Sequence, residues 1–216
     1  MSRNADRGFA GCSRAGSRDR SRRGGSLEGV TAPYDIRIIG DPVLRRRAAD
    51  VTEVDSTLVR IADGMLETMY EAQGVGLAAP QIGVRKRLFV WDVGDGPRTI
   101  VNPEIVESDG EWVFDEGCLS VPGLSWEIVR PKQVHVVGHD LDGNEVSVEA
   151  DELEARLFQH ELDHLDGTLL IERLDEERRK AALRTLRELG IGAGSQSAPQ
   201  RPLAVADTAP SGLRLL

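Results

Sequence analysis

Apolar residues recur at helical spacing in several segments of the chain. In the first segment one face would carry Leu58, Ile61, Met65, Leu66 and Met69. This spacing is typical of an amphipathic helix with a period of 3.6 residues. Asp55 or Ser56 can cap the start, and Gly74 follows the last turn, so the pattern predicts a helix that ends at Gln73. Another helix is predicted over residues 174–189.

A helix between these two has a core-facing stripe that includes polar residues. The stripe consists of Leu153, Leu157, His160, Glu161 and His164, which recur at one face of the same period. Asp151 can cap the start of this helix, and Gly167 can end it in the left-handed conformation. The face that should enter the core therefore carries two histidines and a glutamate.

Runs of β-branched and alternating residues predict short strands in the middle of the chain. They fall at residues 87–93, 99–102, 105–107, 112–114, 125–130, 134–140 and 146–148. Asp109-Gly110 and Asp142-Gly143 are turn sequences, and each predicts a hairpin between the strands that flank it.

The polar stripe contains a His-Glu-x-x-His motif at residues 160–164. Side chains four residues apart share a helix face, so both imidazoles can bind one metal ion with Glu161 beside them as a base. An extended protease motif would need a histidine where Leu170 stands, and Glu172 lies too soon after the motif to serve as a distant third ligand. Cys118 is the remaining soft ligand, and a Cys-His-His set leaves one position open, as in catalytic sites.

The order of these elements predicts the fold class and the domain limits. Helix, strands and two further helices favour an α+β fold, in which antiparallel sheets pack around a central metal-binding helix with a helix near each end of the domain. Residues 1–33 form a basic Arg/Ser/Gly-rich extension, and residues 190–216 form a Gly/Ala/Pro/Ser-rich tail. Both segments are expected to be disordered, which leaves residues 34–189 as the catalytic domain.

Charge and composition narrow the functional classes. The chain has 216 residues and a net charge of −9, which argues against direct nucleic-acid binding. It contains no run of eighteen apolar residues, so no membrane contact is expected. A single cysteine in the body of the chain, Cys118, favours a reducing compartment and predicts a cytoplasmic location. For residues 1–33, an organellar transit peptide and translation that starts only near Val30 are the other interpretations.

A loop of small residues spans positions 74–83, with one polar residue, Gln81, inside it. Small residues let a backbone approach another group closely. The glycine spacing differs from that of a dinucleotide-binding loop, and the segment follows a helix instead of a strand. Gln81 either ties the loop to its own backbone or acts on a ligand.

Three stretches together resemble a known family. Residues 74–81, 116–120 and 160–164 are similar to the three signature motifs of the peptide deformylases, in the same order and at similar separation. The resemblance spans about residues 34–189 and includes Gly-Asp-Pro-Val-Leu-Arg at 40–45. It implies a hydrolase that removes the N-formyl group from formyl-methionine at the N-terminus of nascent polypeptides and releases formate.

The resemblance also implies roles for particular residues. Cys118, His160 and His164 would bind one Fe(II) ion per chain, with Zn(II) or Ni(II) as substitutes. Glu161 would transfer the proton, while the Gln81 side-chain amide and the Leu119 backbone N–H would stabilise the oxyanion. The remaining implied contacts concern the substrate. Its backbone would lie along Val75, Gly76, Gly117 and Leu119, and its methionine side chain would contact Val75, Phe114, Leu153 and Leu157.

Several alternatives remain open at this level. A zinc protease and a catalytically silent, ribosome-associated binding module are the competing functions. Glu116 and Arg130 form a pair behind the Cys118 loop in one interpretation, and Asp163 either orients a metal-binding imidazole or faces solvent. The expected partners are N-formyl-methionyl nascent peptides and the ribosome, with the chain acting as a monomer.

Overall fold

The structure, a computed structural model, describes residues 34–192. The predicted basic extension at residues 1–33 lies outside the described residues, as does the predicted tail from residue 193 onward. The described residues contain three α-helices, namely α1 (Ser56–Glu71), α2 (Glu152–Asp166) and α3 (Glu176–Glu188). Asp55, one of the two caps that the sequence allows, caps α1 by accepting a hydrogen bond from the Leu58 N–H.

Strands of the described region form two antiparallel sheets. They are β1 (Gly76–Ala78), β2 (Leu88–Trp91), β3 (Arg98–Asp109), β4 (Trp112–Gly117), β5 (Ser125–Arg130), β6 (Gln133–His139) and β7 (Glu145–Asp151). One sheet has the order β1-β2-β3-β6-β7, and the other consists of β4 and β5. The predicted α+β class with antiparallel sheets is confirmed.

The predicted hairpin around Asp109-Gly110 is wrong. From Glu104 to Asp109, β3 pairs with β6, while β4 pairs with β5 over its whole length. Alternation of side chains identifies a strand, but it does not identify the neighbour with which the strand forms hydrogen bonds. The hairpin predicted at Asp142-Gly143 is confirmed by the pairing of β6 with β7.

The loop at residues 74–83 is more ordered than its sequence indicates. It contains β1, which lies at the edge of the larger sheet and pairs with β2 from Gly76 opposite Trp91. A short 3-10 helix, Ala79–Ile82, follows directly. Three-residue strands carry too few positions for a periodic pattern, so sequence analysis could not find β1.

Helix α2 is buried on both sides. Phe158 packs against Phe89 and Trp91 of the larger sheet, with ring centroids 5.7 and 5.1 Å apart. On another face, Arg156 and His160 reach the two-stranded sheet through hydrogen bonds to Glu116 of β4. The sheets therefore enclose the helix that carries the His-Glu-x-x-His motif.

Among the described helices, none combines the length and the hydropathy needed to span a membrane.

Candidate metal centre

Local sequence fixes the helix that presents the histidines. Asp151 accepts a hydrogen bond from the Glu152 N–H at the start of α2, and Gly167 ends the helix at φ 77°. Both capping predictions are confirmed. Gly167 also permits a close chain approach, because a Cβ there would lie 2.8 Å from the backbone carbon of Arg45.

Three potential ligands meet at one point. His160 and His164 lie one turn apart, with ring centroids separated by 5.0 Å, and Cys118 comes from the loop after β4. The Cys118 Sγ is 3.2 Å from the His164 Nε2. The candidate ligand atoms of these three residues all lie within 4.8 Å of one another, and all three residues are buried.

The donor set fits a divalent metal ion. Glu116 lies 2.7 Å from the His160 Nδ1, which fixes the ring and directs Nε2 away from the carboxylate. The His160 Nε2 is buried and has no hydrogen-bond partner among the described residues. A buried, unpaired ring nitrogen beside a thiol sulfur and a second imidazole is the arrangement that a metal ion would complete.

Local charges act differently on the two imidazoles. Burial lowers the pKa of His160, but Cys118 and Glu116 outweigh burial and raise this pKa well above its usual value. Burial, with the adjacent His160, keeps the pKa of His164 well below its usual value. The surroundings of His160 therefore favour positive charge near its ring, and those of His164 favour the neutral imidazole that binds metals.

Glu116 is the centre of a buried ionic network. It is fully buried and accepts two hydrogen bonds from Arg130, at 2.7 and 2.9 Å, and one from Arg156 at 2.8 Å. Burial opposes the charge of Glu116, but His160 and Arg130 lower its pKa far below the usual range. Glu116 is therefore an anion that supports the imidazole of His160, a candidate metal ligand.

Asp163 takes neither of the roles considered from the sequence. It is buried and forms ion pairs with Arg130, at 2.9 Å, and with Arg173. Glu116, which is 44 positions distant from His160 in sequence, contacts the imidazole instead. The proposed pairing of Glu116 with Arg130 is present in the structure.

Glu161 lies next to the candidate metal ligands in a confined space. It is 1% exposed, and one of its oxygens would lie only 2.5 Å from a Cβ placed on Gly76. Burial raises the pKa of Glu161 to about 8. The His160 ring lowers this pKa, whereas the Glu116 carboxylate raises it further. Its Oε2 is buried without a hydrogen-bond partner among the described residues. Glu161 is therefore able to hold a proton or release it near neutral pH.

Gln81 is held in one orientation. Its Oε1 accepts a hydrogen bond from the Ala78 N–H at 2.8 Å, and its Nε2 lies 3.3 Å from the Ser120 Oγ. The same Nε2 is 3.9 Å from the Cys118 Sγ, so the amide donor points towards the ligand cluster. Gln81 therefore meets both expectations, because its Oε1 binds the loop backbone while its Nε2 points to the ligand cluster.

The predicted substrate contacts occupy strand edges and an apolar cluster. Gly76 lies in β1 at the edge of its sheet, and Gly117 ends β4 in the two-stranded sheet. Leu119 follows Cys118 and is half-buried. Leu157 is buried in the core, and the partly buried side chains that pack in the same cluster are Val75, Phe114 and Leu153. All four residues of the predicted methionine pocket therefore belong to one apolar cluster.

The two positions at which a protease motif could place a third ligand, Leu170 and Glu172, lie outside the cluster. Leu170 is buried in the core next to Ile171. Glu172 accepts hydrogen bonds from the Arg45 guanidinium and the Leu169 N–H, at 2.8 and 2.9 Å. Neither residue is a member of the ligand cluster.

Comparisons with known proteins point to one family. The polypeptide deformylase family model matches residues 33–180. A peptide deformylase of Agathobacter rectalis is 55% identical over 140 residues, which are 65% of this chain and 89% of that protein.

Two crystal structures are similar to this one. The peptide deformylase of Thermus thermophilus is 46% identical, with a TM-score of 0.68, over 72% of this chain and 93% of that one. The enzyme of Synechococcus elongatus, solved in complex with actinonin, is 38% identical, with a TM-score of 0.70, over 74% and 88% of the two chains.

Proposed function

Since the chain belongs to the polypeptide deformylase family and is a hydrolase that removes the N-formyl group from nascent peptides, we propose that the Cys118, His160 and His164 cluster holds its metal ion. The observation that carries this proposal is the convergence of three buried ligand atoms within 4.8 Å, beside the Glu161 carboxylate. We propose residues 34–189 as the catalytic domain.

A divalent ion bound here supplies a Lewis acid and makes water more acidic. Cys118 contributes a soft thiolate, and the histidines contribute neutral nitrogens, a set that suits several first-row metals. Fe(II), one ion per chain, is the proposed native ion, because the family resemblance implies it. Zn(II) and Ni(II) are the proposed substitutes.

Glu161 is the proposed proton-transfer residue. The formamide carbon is a weak electrophile, so the attacking water must lose a proton and the departing amine must gain one. Burial raises the pKa of Glu161, so its carboxylate takes up a proton more readily than an exposed one and can pass it on to the amine. Its burial excludes bulk water, which would otherwise compete for the proton.

Gln81 and Leu119 are the proposed oxyanion donors. Negative charge develops on the formyl oxygen when water adds, and fixed N–H donors stabilise this charge without further reorganisation. The Gln81 Nε2 is already directed towards the Cys118 sulfur, because the Ala78 N–H anchors the opposite end of the amide.

The peptide is proposed to bind as an added strand. Val75 directly precedes β1, Gly76 begins this edge strand, and the end of β4 carries Gly117 with Leu119 beyond it. Exposed strand edges bind extended peptides through backbone hydrogen bonds, while side-chain pockets supply specificity. Val75, Phe114, Leu153 and Leu157 are the proposed contacts of the methionine side chain.

The proposed location of the protein is the cytoplasm. A single buried cysteine in the described region suits a reducing cytoplasm. We propose that the chain works there as a monomer on peptides that emerge from the ribosome, without direct binding to nucleic acid or membranes.

The ligand set is tested with anaerobically purified protein, by metal analysis and by formate release from formyl-Met-Ala-Ser. Cys118→Ser should lose most of its metal, because a neutral hydroxyl replaces a thiolate, and formate release should fall with it. Cys12→Ser is the matched control and should keep both. Equal metal content in wild type and Cys118→Ser would remove Cys118 from the ligand set.

A comparison of iron-loaded and nickel-loaded protein in air tests the native ion. The iron form should lose activity faster, with oxidation of the Cys118 sulfur detected by mass spectrometry. Equal half-lives would contradict the assignment of iron.

A further inference from the structure

Arg156 is a buried cation that the proposed mechanism does not use. It lies in α2 one turn before His160, and its side chain is 0% exposed. Arginine is rarely buried completely, because its charge must then be compensated by the protein. The contacts of Arg156 therefore indicate what the residue does.

Its polar contacts join the helix to the two-stranded sheet. The Nη1 donates to the Glu116 carboxylate at 2.8 Å and to the Ile128 carbonyl at 3.1 Å, and the Nη2 donates to the Trp112 carbonyl. The Nε is buried and has no partner among the described residues. An unpaired buried donor costs free energy, so packing of the guanidinium must offset this cost.

Two aromatic rings supply that packing. The guanidinium carbon lies 5.0 Å from the centroid of the Trp112 ring and 5.7 Å from that of Phe114. The two rings stack on each other with centroids 4.7 Å apart. A planar cation over an aromatic face is attracted to it, most strongly where water is excluded. Arg156 thus fixes the position of a half-buried aromatic pair.

Phe114 belongs to the apolar cluster that also contains Leu153 and Leu157 of α2. These residues flank Arg156 in sequence, three positions before it and one after it. The same guanidinium therefore contacts the wall of the proposed side-chain pocket and the carboxylate that supports His160.

We propose that Arg156 is a specificity-determining positioning residue, which holds the Trp112–Phe114 wall of the methionine pocket and couples that wall through Glu116 to His160. This inference rests on the proposed function, because it takes Phe114 as a contact of the substrate side chain. If the wall is held firmly, the pocket keeps the length that fits the unbranched methionine side chain of the substrate. If the wall is mobile, the pocket can adapt to smaller side chains and loses this preference.

A matched pair of substitutions separates the two tasks of the guanidinium. Arg156→Lys and Arg130→Lys each leave a positive charge beside Glu116, but only the first removes a planar cation from the aromatic rings. The measured quantities are metal content, kcat and KM for formyl-Met-Ala-Ser, and the ratio of its kcat/KM to that of formyl-Ala-Ala-Ser.

Arg156→Lys should reduce this selectivity ratio roughly 3- to 10-fold, mainly through KM, as expected when cation–π packing of the wall is lost. Arg130→Lys should lower kcat through the weaker support of Glu116 and His160, but it should leave the ratio at the wild-type value. A wild-type ratio in Arg156→Lys would overturn the inference, and so would an equal fall of the ratio in both variants.

Phe114→Ala distinguishes failure of the inference from failure of the proposed pocket. Its ratio should fall at least as far as that of Arg156→Lys. If Phe114→Ala changes the ratio and Arg156→Lys does not, the pocket stands and Arg156 has no part in specificity. If neither changes it, the pocket assignment itself is wrong.

Discussion

Gly76 and Glu161 share one small space at the edge of β1. A Cβ on residue 76 would lie 2.5 Å from a Glu161 oxygen and 3.2 Å from the Leu157 Cγ. The glycine is thus needed for the position of the Glu161 carboxylate, the proposed proton-transfer group, in addition to its predicted contact with the substrate backbone.

Gly76→Ala should therefore lower activity without removing the metal. The added methyl group displaces the Glu161 carboxylate, and a displacement of about 1 Å at a reacting group costs roughly 100-fold in rate. Formate release, metal content and melting temperature should be measured together. Full activity in this variant would mean that Glu161 has room to move without consequence.

Glu161→Gln should retain metal and lose proton transfer. The amide has nearly the same shape as the carboxylate but cannot accept the proton of the attacking water, so kcat should fall roughly 100- to 10,000-fold. Glu149→Gln, on the exposed face of β7, is the control and should resemble wild type. Substantial turnover by Glu161→Gln at full metal occupancy would assign the proton transfer to another group.

At the scale of elements, alternating charges connect α2 to the two-stranded sheet. Arg130 of β5 is 4% exposed and lies between Glu116 of β4 and Asp163 of α2. These ion pairs join the sheet to the helix at the positions that surround His160. The stability of this junction and the orientation of the His160 ring are therefore linked.

Arg130→Met tests the junction. The substitution leaves the buried carboxylates of Glu116 and Asp163 with less compensating charge. Arg156 still pairs with Glu116 and Arg173 still pairs with Asp163. The free energy of unfolding should therefore fall by about 3 kcal/mol. Urea unfolding of the metal-loaded protein should show this loss. Lys180→Met, which removes only exposed pairs with Glu176 and Glu177, should leave the midpoint unchanged. Equal midpoints for the two variants would show that the network does not stabilise the fold.

At the scale of the whole molecule, the core begins just inside the described region. Ile38, Ile39 and Leu44 are all buried, and the Ile39 N–H donates to the Ser120 carbonyl at 2.8 Å. The segment before residue 34 has seven arginines and few apolar residues, so its composition predicts no contribution to this core.

Deletion of residues 1–29 should leave melting temperature and formate release nearly unchanged. Deletion of residues 1–44 is the informative contrast, because it removes three buried side chains and should destabilise the protein severely. A large fall in melting temperature for the shorter deletion would show that the extension docks on the domain.

The sequence by itself determined the parts of this protein that depend on neighbours along the chain. Helix α2, its Asp151 cap and its Gly167 end follow from local periodicity and backbone preference, and so does the placement of His160 and His164 on one face. Cys118 was found only by elimination and by resemblance, because no local pattern links it to a helix that begins more than thirty residues later.

Only the tertiary structure decided which distant groups meet. The pairing of β3 with β6, the contact of Glu116 with His160 and the aromatic packing of Arg156 each join residues that are far apart in sequence. In the sequence, Arg156 is one charged position on an amphipathic helix, and Asp163 could equally have oriented a metal-binding imidazole or faced solvent. Their environments arise when two sheets close around α2, and the buried charges must then find compensating partners wherever the packing places them.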